Sequence, residues 1–249
     1  MQPESGPESA PSPEPPDSSA PGGEAPGPSV AAVLLAGGRG SRLGGVEKGL
    51  LTRDGVPLIT CWAEALGRRD IPAVVVGTPS LRPHLPPGVR LTREDPPYSG
   101  PAAAVCAGVR ALEAVPWPRH LLLLAVDTLD PDAVLDWLLA RLPDDGALIP
   151  RDAEGRAQML TAAVEAGALR RRVLSLVPGE EVGRPVRWLL DGISSGNLTP
   201  DGGASAPGEE GAPGPRLPDG LGVDVDTAAD ALRHGVEVPP EQDPRDTGL

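Results

Sequence analysis

The patterned part of the chain begins with an uninterrupted apolar run, Val30 to Ala36 (VAAVLLA), closed by Gly37-Gly38. A short run of this kind predicts a strand buried on both faces that opens into a loop. A glycine-rich stretch leads to Gly45, then to Leu50-Leu51, the turn Asp54-Gly55, and Pro57 at a first helical position. Leu58, Cys61, Trp62, Ala65 and Leu66 recur at helical spacing, which predicts a helix over residues 57–69. Ala73–Gly77 and Val89–Thr92 read as further strands. Ser99 and Pro101 then open a helix to about Glu113, one as cap and the other in its first turn. His120–Val126 (HLLLLAV) is another buried strand, ending at Asp127, and residues 131–141 follow as a helix.

Beyond that point the pattern predicts strands over 147–150 and about 158–164, and helices over 166–176 and 184–190. A last strand is predicted over Leu221–Val225, and Thr227 caps a short helix to about His234. The alternation of strand and helix implies a three-layer α/β/α fold with a mostly parallel, Rossmann-like sheet. Ligands in such sheets bind beyond the carboxyl ends of the strands, where both Gly37-Gly38 and Asp127 fall.

Three segments lack this patterning. Residues 1–29 are mostly Pro, Ser, Gly, Ala and Glu, with five acids and no Lys or Arg. They have too little apolar surface to offset the entropy of ordering and read as a disordered tail. They also lack the positive and apolar regions of a signal peptide. Residues 194–219 read as a flexible insertion and 236–249 as a second tail, leaving one domain over 30–235. No apolar run approaches the roughly 18 residues of a bilayer span. Cys61 and Cys106 stand alone without a zinc or redox spacing, as small buried residues of a reducing, cytoplasmic protein do.

Charge sharpens the picture. A net charge of −13 argues against a nucleic-acid surface. Between Val30 and Arg53 the balance is reversed: Arg39, Arg42, Lys48 and Arg53 face only Glu47, and Lys48 is the sole lysine of the chain. A basic, glycine-rich loop inside an acidic protein points to an anion site, because glycines let backbone N–H groups approach phosphates. It is neither the dinucleotide fingerprint, since Leu43 stands at the third glycine counted from Gly38, nor a P-loop, since Gly49 follows Lys48.

The segment L-A-G-G-x-x-x-R-L-G-G-x-E-K (residues 35–48) resembles the opening signature of the molybdenum cofactor guanylyltransferase family, within the nucleotide-sugar-type NTP transferases. Further matches follow in order at Glu94-Asp95-Pro96-Pro97 with Gly100-Pro101, Leu124–Asp127, Asp152–Gln158 and Asp224-Val225-Asp226-Thr227. The resemblance implies that Leu35, Ala36, Gly37 and Gly38 contact the base and first phosphate of GTP, and that Arg42 and Lys48 bind the triphosphate. Asp95 would lie near the ribose. Asp127 would ligate Mg²⁺, with Asp224 or Asp226 as the second carboxylate, and Gln158 would approach a molybdopterin acceptor. Transient contact with other cofactor-biosynthesis or acceptor proteins is a further implication.

Such chemistry needs these groups. An acceptor phosphate oxygen attacks the α-phosphorus and pyrophosphate leaves, so two anions must be held together by positive charge. Magnesium takes oxygen ligands and one or two protein carboxylates. The acceptor is already ionised near neutral pH, so no general base is required and the three histidines need no role. Ala228 after Asp226-Thr227, Thr128-Leu129 after Asp127, and Met159 after Gln158 depart from the family pattern. They leave open a CTP-using enzyme on the same acceptor, or a non-catalytic nucleotide-binding module.

Overall fold

The computed structural model of the chain describes residues 29–38, 43, 45–112, 117–193 and 214–239. The tail over 1–28, the residues from 240 onward and positions 194–213 of the expected insertion lie outside them.

A six-stranded sheet forms the centre, in the order β5-β4-β1-β6-β8-β7. Its strands are β1 (Val30–Leu35), β4 (Ala73–Val76), β5 (Arg90–Thr92), β6 (His120–Ala125), β7 (Ala147–Leu148) and β8 (Thr161–Glu165). β1 runs parallel to both β4 and β6, and β4 parallel to β5; β8 and β7 add on antiparallel at the far edge. The sheet is therefore mostly parallel, as the alternating pattern predicts. All six residues of β1 are buried, because the period-two alternation feeds both faces. Ala32 and Leu34 pack with Leu122 and Leu124 on one side, while Ala31 and Val33 pack with Leu121 and Leu123 on the other.

On the first face lie α1 (Leu58–Gly67) and α3 (Pro131–Leu139). On the second lie α2 (Pro101–Leu112), α4 (Ala166–Ser175) and α5 (Val186–Leu190). α2 approaches the sheet closely through Gly108: a Cβ there would lie 2.4 Å from Val33 Cγ1. No helix among the described residues is long and apolar enough to cross a membrane.

A second, three-stranded antiparallel sheet pairs β2 (Thr52–Arg53) with β3 (Val56–Pro57) and with β9 (Val236–Glu237). The domain thus continues past the expected end at residue 235, because Val236 is apolar and buried against the core. Leu217, inside the expected insertion, is also buried in that core. Leu221–Val225 does not form the expected strand. This segment passes beyond the end of β6, packs Val225 into the core, and among the described residues makes only an isolated bridge, between Thr128 and Asp224, in place of a strand ladder. The capped helix after it is present as α6 (Ala228–Arg233). The Thr227 side chain accepts from the Asp230 N–H while Asp230 accepts from the Thr227 N–H.

The chain leaves β1 toward β4 on one side and returns to β6 on the other. The two central strands therefore end at a point where the strand order reverses. Open α/β sheets have their crevice there.

Candidate active site

At that reversal point a cavity of about 460 Å³ opens beyond the carboxyl ends of β1 and β6. Leu35, Gly37 and Gly38 line it from β1, Ala125, Val126 and Asp127 from β6, and Lys48 and Asp226 join them. Glu94, Tyr98, Gly100, Pro101 and Ala104 line it from the turn that leads from β5 into α2.

The chemistry gathers at Lys48. Its ammonium donates to Asp127 Oδ2 and, at 2.6 Å, to Asp226 Oδ1. Asp127 is 13% exposed and Asp226 56%, so the ammonium joins a fixed inner carboxylate to one on the rim. Burial pushes the Lys48 pKa down, but the charges and hydrogen bonds of Asp127 and Asp226 outweigh it and leave the pKa above its ordinary value. Lys48 is therefore fully charged at neutral pH.

Neighbouring residues explain why these side chains meet. The Glu47 carboxylate accepts from Thr78 Oγ1 at 2.8 and 2.7 Å and from Ser80 Oγ at 2.5 Å, tying the loop before Lys48 to the segment after β4. Trp62, buried in α1, donates its indole N–H to the Thr128 carbonyl at 3.0 Å and fixes the chain just past Asp127. The Asp127 carbonyl accepts the Val225 N–H at 3.1 Å, and the α6 capping box follows directly on Asp226. Four separate elements thus hold three charged groups.

Asp224 behaves differently from Asp226. Its Oδ1 accepts from Thr128 Oγ1 at 2.8 Å, and it does not touch Lys48. Part of the residue faces solvent. Desolvation of the carboxyl, followed by the negative charge of Asp127, nevertheless pushes its pKa up to about 6.

The remaining residues expected at the site divide. Leu35, Gly37 and Gly38 line the cavity, and Ala36 is buried beneath it. Arg42 lies outside the described residues, as does Arg39. Asp95 is exposed and does not line the cavity, whereas its neighbour Glu94 does. An acidic pair in sequence carries no sign of which member faces inward. Gln158 donates its Nε2 to Asp152 Oδ2 at 2.9 Å and serves the turn over 152–158, while Leu160 reaches the cavity wall. Tyr98 lines the cavity without having been expected there, and Glu94 entered the sequence reading only as a member of the Glu94-Asp95-Pro96-Pro97 match. The one available signal was that Tyr98 is the only tyrosine of a chain with no phenylalanine.

Two hard carboxylate oxygens that converge on one cation suit a small divalent ion completed by phosphate and water oxygens. Among the described residues no group of three or more His, Cys, Asp or Glu side chains gathers as a metal site.

A mostly parallel sheet with its crevice at the switch point, a glycine-lined cavity and a lysine between two acids define an α/β protein with a charged ligand crevice. The matching family model is the MobA-like NTP transferase domain, over residues 32–190, and the chain belongs to that family. It is a nucleotidyltransferase. The chain is 29% identical to a molybdenum cofactor guanylyltransferase of Ralstonia nicotianae, over 68% of this chain and 74% of that protein. It is 38% identical to one from Burkholderia cenocepacia over 35% of this chain, a match that spans 45% of that relative. Among solved structures it resembles Rv0371c from Mycobacterium tuberculosis, with TM-score 0.58, 18% identity, and 83% and 97% of the two chains covered. Molybdopterin-guanine dinucleotide biosynthesis protein A from Archaeoglobus fulgidus superposes with TM-score 0.54 at 18% identity, covering 82% and 96%. These two likenesses concern the fold.

Proposed function

We propose that the chain transfers GMP from GTP to the terminal phosphate of a molybdopterin-type cofactor and releases pyrophosphate. The observation that carries this reading is the Lys48 ammonium held between Asp127 and Asp226 in the cavity beyond β1 and β6. The names of the sequence relatives support the choice of base and acceptor.

Charge bookkeeping explains the cation requirement. Two carboxylates against one ammonium leave the cluster net negative, so a triphosphate entering alone would meet repulsion in a partly desolvated site. Asp127 and Asp226 would hold Mg²⁺, which when bound neutralises charge on the α-phosphate and on the departing pyrophosphate. Lys48 would release a carboxylate to the metal and turn its ammonium toward the phosphates. A compact charge on a flexible stem suits that exchange. The backbone at Gly37 and Gly38 leaves room for the triphosphate without a Cβ in the way. An acceptor phosphate oxygen then forms a bond to the α-phosphorus as the bond to the pyrophosphate oxygen breaks. The acceptor arrives ionised, and the proposed site has no histidine to act as base. The proposed compartment is the cytoplasm, where nucleoside triphosphates are supplied.

The test is pyrophosphate release by the purified chain with Mg²⁺ and molybdopterin, with GTP and CTP assayed separately. Release with GTP that requires both acceptor and Mg²⁺ supports the proposal. Binding of GTP without turnover would instead make the chain a nucleotide-binding module.

A further inference from the structure

The cavity lining has two unlike parts. Lys48, Asp127 and Asp226 meet in one charged cluster, while the turn into α2 supplies small or flat groups, Gly100, Pro101, Ala104 and Tyr98, with a single carboxylate, Glu94. A nucleotide has the same asymmetry, phosphates at one end and a planar base at the other. Given the reading of this cavity as a nucleotidyl-transfer site, the base belongs beside Tyr98.

Three observations single out Tyr98 there. Its backbone sits at φ +64°, a left-handed conformation that glycine adopts freely and a bulky residue does not. Its side chain is not tucked into the core to compensate: the residue is 47% exposed and lines the cavity. The ring is also backed, since the Arg93 guanidinium lies 4.9 Å from its centroid. A strained backbone that presents a large ring to a cavity calls for a functional explanation. The strain is held by Glu94, whose Oε1 accepts the Tyr98 N–H at 2.9 Å. The same bond fixes the carboxylate beside the ring. A carboxylate is an acceptor only, with capacity for several donors, so one backbone bond leaves acceptor sites for a ligand.

We propose that Glu94 and Tyr98 form the base-reading element of the site. The Tyr98 ring is the stacking platform, and the Glu94 carboxylate accepts from the N1–H and 2-amino group of guanine. Cytosine presents acceptors at its N3 and O2, which would meet the carboxylate as like charge. The element therefore selects GTP over CTP. It acts on the bound base and takes no part in bond making.

Tyr98→Gly separates function from folding, because glycine relieves the backbone while removing the ring. The expected result is a melting temperature equal to or above the parent, with GTP affinity in the presence of Mg²⁺ reduced roughly 5- to 150-fold, the range for loss of one base-stacking contact. Tyr98→Phe keeps the ring and should bind GTP as the parent does. Glu94→Gln retains an acceptor for the Tyr98 N–H but replaces a purely accepting group. Calorimetric titration with GTP, inosine triphosphate and CTP should show GTP affinity falling about tenfold or more, with CTP unchanged. In the parent, inosine triphosphate, which lacks the 2-amino group, should fall between the other two.

Unchanged GTP affinity in Tyr98→Gly would overturn the proposal, as would parallel losses for GTP and CTP in Glu94→Gln or a parent protein that prefers CTP. Each of those outcomes leaves nucleotidyl transfer standing. A parent protein that binds no nucleoside triphosphate at all would instead overturn the functional reading on which this element rests.

Discussion

Lys48 Nζ lies 2.6 Å from Asp226 Oδ1, although the two residues are 178 positions apart in the chain. The contact closes the chain around the cavity: the first loop after β1 meets the last loop before α6. Lys48→Arg keeps the charge but replaces a compact ammonium with a wide planar fork that does not fit the same gap between Asp226 and the inner Asp127. The fold and melting temperature should persist while kcat/KM for pyrophosphate release falls about 10- to 100-fold, a loss of about 1.4–2.7 kcal/mol of transition-state stabilisation. Unchanged kinetics would remove Lys48 from the mechanism.

The two terminal acids of the Asp-Val-Asp segment should separate in a metal titration. Asp226 shares a cation with Asp127, while Asp224 is engaged by Thr128 Oγ1. Asp226→Asn should therefore raise the Mg²⁺ concentration for half-maximal activity by about tenfold or more, since even an outer-shell partner of a metal contributes about that much. Asp224→Asn should shift it much less, since an asparagine oxygen still accepts from Thr128. Equal shifts in the two variants would mean that Asp224 also enters the coordination shell.

Parts of this arrangement were legible because the residues that create it are strongly patterned. The apolar runs of β1 and β6 fixed their burial, and each run stops at the residue where the cavity begins, Gly37 and Asp127. Strand direction was not legible at β8: a strand buried on both faces shows the same run whether it pairs parallel or antiparallel. The two-residue pairing of Arg53 with Val236 was also beyond reach, since it depends on closure of the whole domain rather than on local propensity. The Leu221–Val225 misreading has a related cause. Its apolar residues serve packing against the core, and its backbone bonds, from the Leu129 N–H to the Val223 carbonyl and from the Val225 N–H to the Asp127 carbonyl, make one isolated bridge instead of a ladder. Asp95 drew attention through the family motif, yet side-chain direction in a turn depends on backbone geometry that a motif does not encode. Glu94 and Tyr98 face the cavity for that reason.

Acid stability should depend on the contact between α1 and α3. Arg69 donates to Asp132 at 2.6 Å and to Asp136 at 2.6 Å, and Arg68 reaches Asp132 at 2.7 Å. The hydrogen bond from Arg69, followed by that from Arg68, holds the Asp132 carboxyl below its ordinary value of 3.8. A depressed carboxylate contributes stability above the unfolded pKa and loses it as the pH falls through the lower folded value. Asp132→Asn should thus lower the melting temperature at pH 7 by a small amount, about 1–4 °C, because half-exposed pairs contribute only about 0.5–1 kcal/mol. The gap to the parent should stay constant down to about pH 4 and close below it. A gap that persisted at pH 2 would assign the effect to packing instead of charge.

Gly108 sets how closely α2 lies on the sheet, and with it the position of the Gly100–Ala104 cavity wall at the start of the same helix. In Gly108→Ala two effects compete. Alanine improves helix propensity by about 1 kcal/mol. The added Cβ, however, would stand 2.4 Å from Val33 Cγ1 and 3.1 Å from Val76 Cγ2, both on buried β-branched residues with little rotamer freedom. Overpacking of this kind costs about 1–3 kcal/mol, and contact with two stiff side chains places it toward the upper end. The net expectation is a loss of about 1–2 kcal/mol, seen as a melting temperature lower by about 2–8 °C. Val33→Ala alone should also destabilise, by leaving a cavity. Combining the two should recover part of each loss, because the new methyl occupies the space that the valine vacates. A double-mutant cycle measures that coupling directly; strict additivity would show that α2 shifts away from β1 instead of clashing with Val33, and GTP affinity should then fall as the cavity wall moves with it.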